Sequence, residues 1–184
     1  MISQLRPALV FLGFFSLLLG IAYPLAMTGL GQALFPAQAN GSLIARDGAV
    51  IGSSLIGQEF TRPGYLHGRV SGTDPAYNAA SSTGTNLAPS SQALLQEVTS
   101  RAKAFGPLPV PSEMATASGS GLDPQITLGA ALRQAPRIAQ ARDLPEDKVI
   151  ALLHEVSTGP AFGFVGENLV NVLQANLALD AMIR

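Results

Sequence analysis

The sequence predicts an α/β or α+β domain that is anchored by one N-terminal transmembrane helix. No charged residue occurs between Arg6 and Arg46, a distance that is sufficient for a membrane span. Beyond this run, short strand-like segments alternate with segments of helical periodicity. The 184 residues are therefore expected to form a helix with a short cytoplasmic start, residues 1–35, and an extracytoplasmic domain, residues 36–184, which is long enough for one modest core.

The apolar run at residues 8–35 predicts the membrane helix. A helix needs roughly 20 mostly apolar residues to cross about 30 Å of hydrocarbon, and this run exceeds that length without a charge. Arg6 and the N-terminal amine precede the run, so the positive-inside rule places the N-terminus in the cytoplasm and the domain outside. Arg46 lies just beyond the other end and opposes this orientation.

The interior of the run predicts two irregularities. Pro24 lacks a backbone N–H and leaves a carbonyl unpaired, which membrane helices tolerate, so we expect a kink near residues 20–24. Gly29 and Gly31 are poor helix formers, so we expect the helix to fray there.

Small residues indicate that the helix docks against another helix. Gly13, Ser16 and Gly20 recur at spacings of three and four, which permits close approach of a neighbour. Apart from the phenol of Tyr23, the apolar core of the run has no ionisable side chain, and charged groups inside a bilayer normally mark an ion path. The helix is therefore predicted to dock and not to conduct, with Gly13, Ser16, Gly20 and Pro24 as docking residues.

A cleaved signal peptide is the alternative interpretation of this segment. Ala37 and Ala39 flank Gln38 in an A-x-A pattern that follows the apolar run, as at signal-peptide cleavage sites. The run is longer than the 7–15 apolar residues that are usual in signal peptides, which favours a retained anchor.

Composition excludes several classes of function. Charged residues make up 12% of the chain and the net charge is −1, which argues against nucleic-acid binding because that function requires clustered Lys and Arg. There is no cysteine, so disulfides, thiolate metal sites and a cysteine nucleophile are excluded. His67 and His154 match no zinc-binding spacing, and we expect neither a metal site nor a catalytic residue.

The outer domain is predicted to contain short strands and about four helices. Strand patterns occur at residues 49–51 and 54–56, interrupted by Gly52, and a strand or helix start occurs at residues 169–172. Helical periodicity and capping residues predict helices at residues 91–105, 127–134 and 145–157, a further turn from Pro136 through Arg142, and a last helix that runs to the C-terminus. Ser90 or Ser91 is expected to cap the first of these, and Thr127 the second.

Two polar segments are the candidate interaction loops. Residues 71–91 are rich in Ser, Thr, Gly and Asn, which either bind a small polar ligand or satisfy one another in turns. Residues 116–124, TASGSGLDP, lack the GK[ST] ending of a phosphate-binding loop. We expect this segment to connect a strand to a helix, with Asp123 near the helix start. Arg69, Arg137 and Arg142 are expected at the surface, solvated or paired; the alternative is burial against loop carbonyls or a carboxylate.

Segments along nearly the whole chain match the motifs of one known family, in the same order. They lie at residues 5–8, 23–25, 38–43, 54–58, 65–69, 77–79, 82–87, 116–124, 137–142, 166–167, 171–173 and 176–180. The chain resembles the C chain of potassium-transporting P-type ATPases, the KdpC family. Val70, Thr83 and Gln125 depart from the family pattern, which affects local loop geometry.

The resemblance implies an accessory subunit of a high-affinity ATP-driven potassium uptake complex in the bacterial inner membrane. The implied partners are a channel-like potassium-translocating subunit, a P-type ATP-hydrolysing subunit and membrane lipid. In this family the C chain supports assembly and is described as raising the ATP affinity of the hydrolytic subunit. ATP and potassium are then handled by the complex, no cofactor is covalently bound, and whether this chain contacts ATP directly stays open.

The chain is not expected to be an enzyme, because it lacks the DKTG phosphorylation motif of a P-type catalytic subunit. We expect an interaction site in the two polar loops, formed by Arg69, Tyr77, Asn78, Ser82, Asn86, Ser118, Ser120 and Asp123. The alternative function is a secreted or membrane-anchored hydrolase or solute-binding domain that acts without pump partners.

Overall fold

The computed structural model describes residues 2–107 and 109–182. The chain forms two compact units, one that ends at Leu43 and one that begins at Ile44. The end of the predicted C-terminal helix, at residues 183–184, lies outside the described residues.

The first unit is a long apolar helix. A 3-10 turn at Ile2–Gln4 leads into α1 (Leu5–Leu17), a π-helical segment (Leu18–Ala22) and α2 (Tyr23–Leu34), and a short helix α3 (Pro36–Ala39) follows. The 30 residues Leu5–Leu34 are long and apolar enough to cross a membrane, and none of the apolar window is buried in the protein. At 1.5 Å per residue this helix is about 45 Å long, which exceeds the hydrocarbon thickness of a bilayer.

A π-helical segment lies next to Pro24, and the fraying predicted at Gly29 and Gly31 is absent. This segment occupies Leu18–Ala22, immediately before the turn that contains Pro24, and such irregularities in a helix are sites where kinks occur, so the kink near residues 20–24 stays a prediction. Beyond it the helix continues through Gly29 and Gly31 to Leu34, and the amide of Phe35 donates to the carbonyl of Gly31. The prediction of fraying was wrong because two glycines, at about 1 kcal/mol each, do not outweigh the hydrogen bonds of a long apolar helix.

A two-stranded hairpin follows α3. β1 (Leu43–Arg46) pairs with β2 (Ala49–Ser53), and the turn between them places Asp47 and Gly48 at positive φ, 52° and 80°, as in type I′ turns. The predicted strand at 49–51 is confirmed. The predicted strand at 54–56 was wrong, because the Asp-Gly turn pairs β2 with the segment before it, which leaves 54–56 only an isolated bridge from Ile56 to Ser53.

A long irregular segment and one amphipathic helix follow. Among the described residues from 54 to 91, only a 3-10 turn at Ala79–Ser81 forms a regular element. The predicted helix at 91–105 is confirmed as α4 (Gln92–Phe105), with Ser91 in the N-cap position but without a side-chain capping bond. A short helix α5 (Ser112–Ala115) leads to the second half of the domain.

The core lies where a small sheet meets four helices. The elements in chain order are β3 (Gln125–Thr127), α6 (Leu128–Leu132), α7 (Ala135–Arg142), α8 (Glu146–Glu155), β4 (Ser157–Thr158), β5 (Leu169–Asn171) and α9 (Val172–Ala181). The strand order is β3-β5-β4, both pairs are antiparallel, and Val170 of β5 pairs with Ile126 and with Ser157. Antiparallel strands with separate helices define an α+β domain.

Helix caps and core residues follow the sequence patterns in this half of the domain. The side chain of Thr127 accepts a hydrogen bond from the amide of Ala130, as predicted, and Asn171 caps α9 in the same way at Gln174. The largest fully buried apolar side chains come from several elements: Leu66, Ile126, Ile138, Leu153, Leu179, Val149 and Val170.

Two buried amides fasten the irregular segment to this core. Asn176 on α9 accepts from the amide of Leu66 (2.7 Å) and donates to its carbonyl (2.9 Å). Gln134, before α7, does the same at His67 (2.9 and 3.0 Å). Each side-chain amide thus replaces the strand neighbour that the Leu66–His67 backbone lacks, and both amides are nearly inaccessible to solvent, at 2% and 3% exposure. Buried backbone groups require such partners.

We expect Asn176→Leu to lower the free energy of unfolding by about 2–5 kcal/mol, because it leaves two buried backbone groups unpaired at roughly 1–3 kcal/mol each. Urea unfolding in mild detergent, followed by tyrosine fluorescence, measures the change. Gln174→Leu, at an exposed position of the same helix, is the matched control and is expected to change stability by less than about 0.5 kcal/mol. Equal effects of the two variants would contradict the assigned role.

Candidate functional site

The two polar loops predicted as interaction segments pack against each other. We call residues 69–86 and 116–123 together the two-loop site. The amide of Ser118 donates to the carbonyl of Val70 (3.0 Å), and Ser82 Oγ donates to the carbonyl of Ser120 (2.9 Å). Ser71 Oγ donates to the carbonyl of Gly121 (2.7 Å). The predicted site residues on the two loops are therefore neighbours in space, although up to 54 positions separate them in sequence.

Arg69 connects the two loops by charge. Its Nη1 atom lies 3.1 Å from a carboxylate oxygen of Asp123, and its Nη2 donates to the carbonyl of Ala117 (3.3 Å). This pairing corrects the expectation that Asp123 stands near a helix start. The segment 116–124 connects α5 to β3, and the second carboxylate oxygen of Asp123 accepts from the amide of Gln125 (3.0 Å). The three-residue strand β3, too short to predict, intervenes before the helix.

Tyr77 holds the backbone of Arg69 in place. Its hydroxyl donates to the carbonyl of Arg69 (2.5 Å), and its own backbone is left-handed, with φ 58°. Burial raises the pKa of Tyr77 to about 12, and the negative charges of Asp123 and Glu59 add to the shift. The phenol therefore stays protonated at physiological pH and serves as a donor.

Ser71 and Thr73, which sequence analysis did not single out, organise the first loop. Ser71 Oγ accepts from the amides of Thr73 (3.2 Å) and Tyr77 (3.0 Å). Thr73 Oγ1 accepts from the amide of Asn78 (3.0 Å) and donates to the carbonyl of Pro75 (2.9 Å). Hydroxyls two residues apart in a polar run are the signal for such turns, so the S-x-T spacing was the available clue.

The remaining predicted site residues also bond within the protein, with one exception. Asn78 and Ser120 accept from the amides of Ala80 and Leu122 (3.1 Å each), and Asn86 donates to Thr83 Oγ1 (3.3 Å). The hydroxyl of Ser118 is 3% exposed and has no hydrogen-bond partner among the described residues. Most polar groups of the two-loop site are thus used to hold the loops in place.

Glycines allow the two loops to touch through their backbones. A Cβ atom on Gly121 would lie 2.7 Å from the carbonyl oxygen of Thr83 and 2.7 Å from the methyl group of Thr73, and Gly121 has a φ of 69°. A Cβ on Gly84 would lie 3.1 Å from the carbonyl oxygen of Gly119. The glycine content of TASGSGLDP therefore serves loop packing, since only glycine permits so close an approach.

Gly121→Ala is expected to lower the free energy of unfolding by at least about 2 kcal/mol, because it combines a left-handed backbone with two steric overlaps. Gly119→Ala is the matched control. Its Cβ would meet no described atom within 4 Å and its φ is not left-handed, so a change below about 0.5 kcal/mol is expected. Urea unfolding of both variants measures the difference. If Gly121→Ala changes the free energy of unfolding no more than Gly119→Ala does, the packing role of Gly121 is refuted.

An open cleft adjoins the two-loop site. It has a volume of about 280 Å³, and its lining includes Glu59, Phe60, His67, Arg69 and Tyr77. Burial, and then the positive charge of Arg137, lower the pKa of His67 against the opposing effect of a hydrogen bond to the Arg62 carbonyl, so the imidazole is neutral at pH 7. The charges in this lining are one carboxylate and one guanidinium, and the guanidinium is paired with Asp123. This balance is a poor match for a triphosphate, which requires an excess of positive charge.

Arg69 is partly exposed and paired with Asp123, as expected, whereas Arg137 and Arg142 follow the alternative and bind loop carbonyls. Arg137 donates to the carbonyls of Pro63 and Tyr65 and to the side chain of Gln134. Arg142, whose side chain is 7% exposed, donates to the carbonyls of Gly64 and Leu179. The planar guanidinium offers five donors, and the irregular segment supplies carbonyls that no strand satisfies.

Asp180 lies at the centre of a second polar cluster. One oxygen accepts from Arg142 (2.9 Å), and the other lies 3.5 Å from Nη1 of Arg46 on β1 and 3.4 Å from the hydroxyl of Tyr65. The guanidiniums of Arg62 and Arg142 lie 4.6 and 4.8 Å from the centre of the Tyr65 ring. Burial alone raises the pKa of Asp180, but the hydrogen bond and charge of Arg142, with those from Tyr65 and Arg46, outweigh it and hold the pKa below the ordinary value.

Because the folded-state pKa of Asp180 is lowered, its contribution to stability is complete above its ordinary value of 3.8 and is lost as the pH falls through the folded-state value. Asp180→Asn is expected to lower the free energy of unfolding at pH 7 by about 1–3 kcal/mol. The difference from the unsubstituted protein should shrink below pH 3.8.

Urea unfolding between pH 3 and pH 7 measures this dependence. Glu155→Gln, at an exposed position at the end of α8, is the control and should change the free energy of unfolding at pH 7 by less than about 0.5 kcal/mol. A constant deficit of Asp180→Asn across this range would contradict the assignment.

The other candidate residues lie outside these clusters. His154 is exposed on α8, as predicted. Within residues 2–107 and 109–182, no group of three or more His, Asp or Glu side chains is placed to hold a metal ion. Gly13, Ser16, Gly20 and Pro24 all lie on the exposed apolar helix, and their role in docking stays a prediction.

Comparison with known proteins identifies the family. The family model described as "KdpC: K+-transporting ATPase, c chain" matches residues 5–181. Relatives named "Potassium-transporting ATPase KdpC subunit" include those of Methylorubrum populi (50% identical) and Rhodopseudomonas palustris (52%), each covering 100% of both chains. The relative of the same name from Acidobacterium capsulatum is 53% identical, with 98% of this chain and 99% of its own covered. A match over the full chain at this identity, on a single apolar helix followed by an α+β domain, establishes that the chain belongs to the KdpC family of K+-transporting ATPase c chains.

Proposed function

We propose that this chain is a non-catalytic accessory subunit of a high-affinity, ATP-driven potassium uptake complex. The observation that carries the proposal is that family membership extends over residues 5–181 and includes the whole apolar helix. The sequence has no DKTG motif, so ATP hydrolysis belongs to a P-type partner subunit. The remaining partner is a channel-like subunit that translocates potassium.

The apolar helix anchors the chain in the bacterial inner membrane. Arg6 and the N-terminal amine lie on the cytoplasmic side, and the domain that follows lies outside. The face formed by Gly13, Ser16 and Gly20 docks against the channel-like subunit, because small residues let helix backbones approach closely in a bilayer. The open surroundings of Gly13 and Gly20, where a Cβ would meet no described atom within 4 Å, leave room for this contact.

The domain raises the ATP affinity of the hydrolytic subunit without contacting ATP. ATP lies on the cytoplasmic side, whereas the domain lies outside, so the effect passes through the equilibrium between states of the whole complex. Two features of the domain support this view. The arginines of its polar clusters are occupied by carbonyls and carboxylates, and the cleft at the two-loop site has balanced charges.

Affinity purification of the tagged full-length chain in mild detergent tests the proposal. We expect the channel-like and P-type subunits to co-purify, and the intact mass to include the residues before Ala39. Gly20→Leu is expected to reduce the co-purified subunits about fivefold or more, because a large side chain separates the packed helices.

Gly29→Leu, in the same helix but outside the Gly13, Ser16 and Gly20 set, is the matched control and should leave co-purification unchanged. A soluble product cleaved after Ala39 that is purified without partners would contradict the proposal and favour a secreted hydrolase or solute-binding domain.

A further inference from the structure

The excursion between β4 and β5 exposes two aromatic side chains. We call residues 159–168 the β4–β5 excursion. Phe162 is 91% exposed, Phe164 81% and Val165 52%, and every residue from 161 to 168 is exposed. Single exposed apolar residues are ordinary on protein surfaces, but contiguous ones mark interaction sites.

The tip of the excursion is held in a defined shape. The amide of Ala161 donates to the carbonyl of Val165, and the amide of Val165 donates to the carbonyl of Ala161, both at 2.9 Å. Phe162 and Gly163 have φ values of 54° and 81°, so the turn holds a bulky residue in the left-handed region, which is unfavourable for it. A strained turn that points two phenyl rings into solvent has no benefit for the isolated domain, and a pre-organised contact costs less ordering entropy on binding.

The exposed area is too small for a stable dimer of this chain through the tip alone. A phenylalanine buries about 150–250 Å², so two copies that met only through their tips would bury under about 1,000 Å² in total. Stable interfaces bury about 1,200–2,000 Å². The tip has the size of a hot spot within a larger interface, where a few central aromatic anchors dominate the binding energy.

The charges before and within the excursion in the sequence argue against insertion into a bilayer. The sequence contains no Lys or Arg between Lys148 and Arg184, whereas Glu155 precedes the excursion and Glu167 lies at its end. Loops and helices that bind a membrane surface usually carry cations that attract anionic headgroups, and acidic flanks are repelled by them. An apolar tip with acidic flanks instead complements a protein pocket that is apolar inside and basic at its rim.

We propose that Phe162 and Phe164 insert as anchors into such a pocket on the extramembrane surface of another subunit of the same complex. This inference rests on the proposed function, because it requires that the chain has partner subunits. The apolar helix then supplies the contact inside the bilayer and the β4–β5 excursion a contact outside it. Both contacts belong to one chain. Once one of them has formed, the effective concentration of the second binding surface near its partner rises, so the second contact forms more readily.

Phe162→Ser combined with Phe164→Ser in the tagged full-length chain tests the inference. We expect co-purified partner subunits to fall at least about tenfold, as is typical when aromatic hot spots are removed, with the urea unfolding midpoint unchanged because both rings are exposed. Leu95→Ser on α4 also removes an exposed apolar side chain (60% exposed), and this control should co-purify like the unsubstituted protein. If the double variant retains its partners, the inference fails and the proposed function stands; if the unsubstituted chain has no partners, the proposed function fails.

Phe164→Trp identifies what covers the tip, because the chain has no natural tryptophan. In nanodiscs that contain this chain alone, with phosphatidylglycerol among the lipids, we expect emission typical of a water-exposed indole. In the assembled complex we expect a blue shift and protection from acrylamide quenching. A blue shift in the lipid-only nanodiscs, or cross-links between two copies of this chain at position 164, would overturn the proposal in favour of lipid or of a homodimer.

Discussion

The domain depends on two buried side-chain amides that take the place of a missing β-strand. The backbone of Leu66 and His67 enters the core without a strand neighbour, and Asn176 and Gln134 each satisfy one amide and one carbonyl there. Without these bonds the segment would bury unpaired polar groups, which costs more than any local turn can recover. Their geometry fixes where residues 54–91 lie on the helical core, and hence where the first loop of the two-loop site meets the second.

Two arginines also hold the irregular segment in place through bonds from side chain to backbone. Arg137 and Arg142 donate to carbonyls at residues 63–65, next to the two residues that the amides hold. Such bonds join a side chain on one element to the backbone of another far along the sequence, so they specify a single arrangement of the irregular segment. A chain with only 12% charged residues thus uses several of its cations internally, which leaves fewer of them for an anionic ligand.

The sequence predicts those features that depend on local pattern. The apolar helix, α4, the Thr127 cap and the strand-to-helix passage at β5 and α9 each follow from neighbouring residues. The insertion of β3 before α6 and the burial of Arg142 depend on contacts between distant residues, which a single sequence does not display. The β1–β2 hairpin, by contrast, has a local signal in the Asp47-Gly48 turn that the prediction of strands at 49–51 and 54–56 did not use. The site shows the same division. Its residues were found because Ser, Asn and Gly cluster in two segments, whereas their contact across the loops, and the part played by Ser71 and Thr73, required the fold.

Two exposed apolar surfaces of the described residues carry the proposals for this chain. The helix Leu5–Leu34 has no side chain buried in the protein, and the tip of the β4–β5 excursion projects Phe162 and Phe164 into solvent. Neither surface contributes to the core of the domain, which is formed by the buried residues of the sheet and of α6–α9 with Leu66 and Met114. Exposed apolar area is unfavourable in water by roughly 25 cal/mol per Å², so both surfaces require a partner. A single helix whose apolar core has no ionisable side chain other than the phenol of Tyr23 offers no ion path of its own, which favours the proposed docking role over conduction.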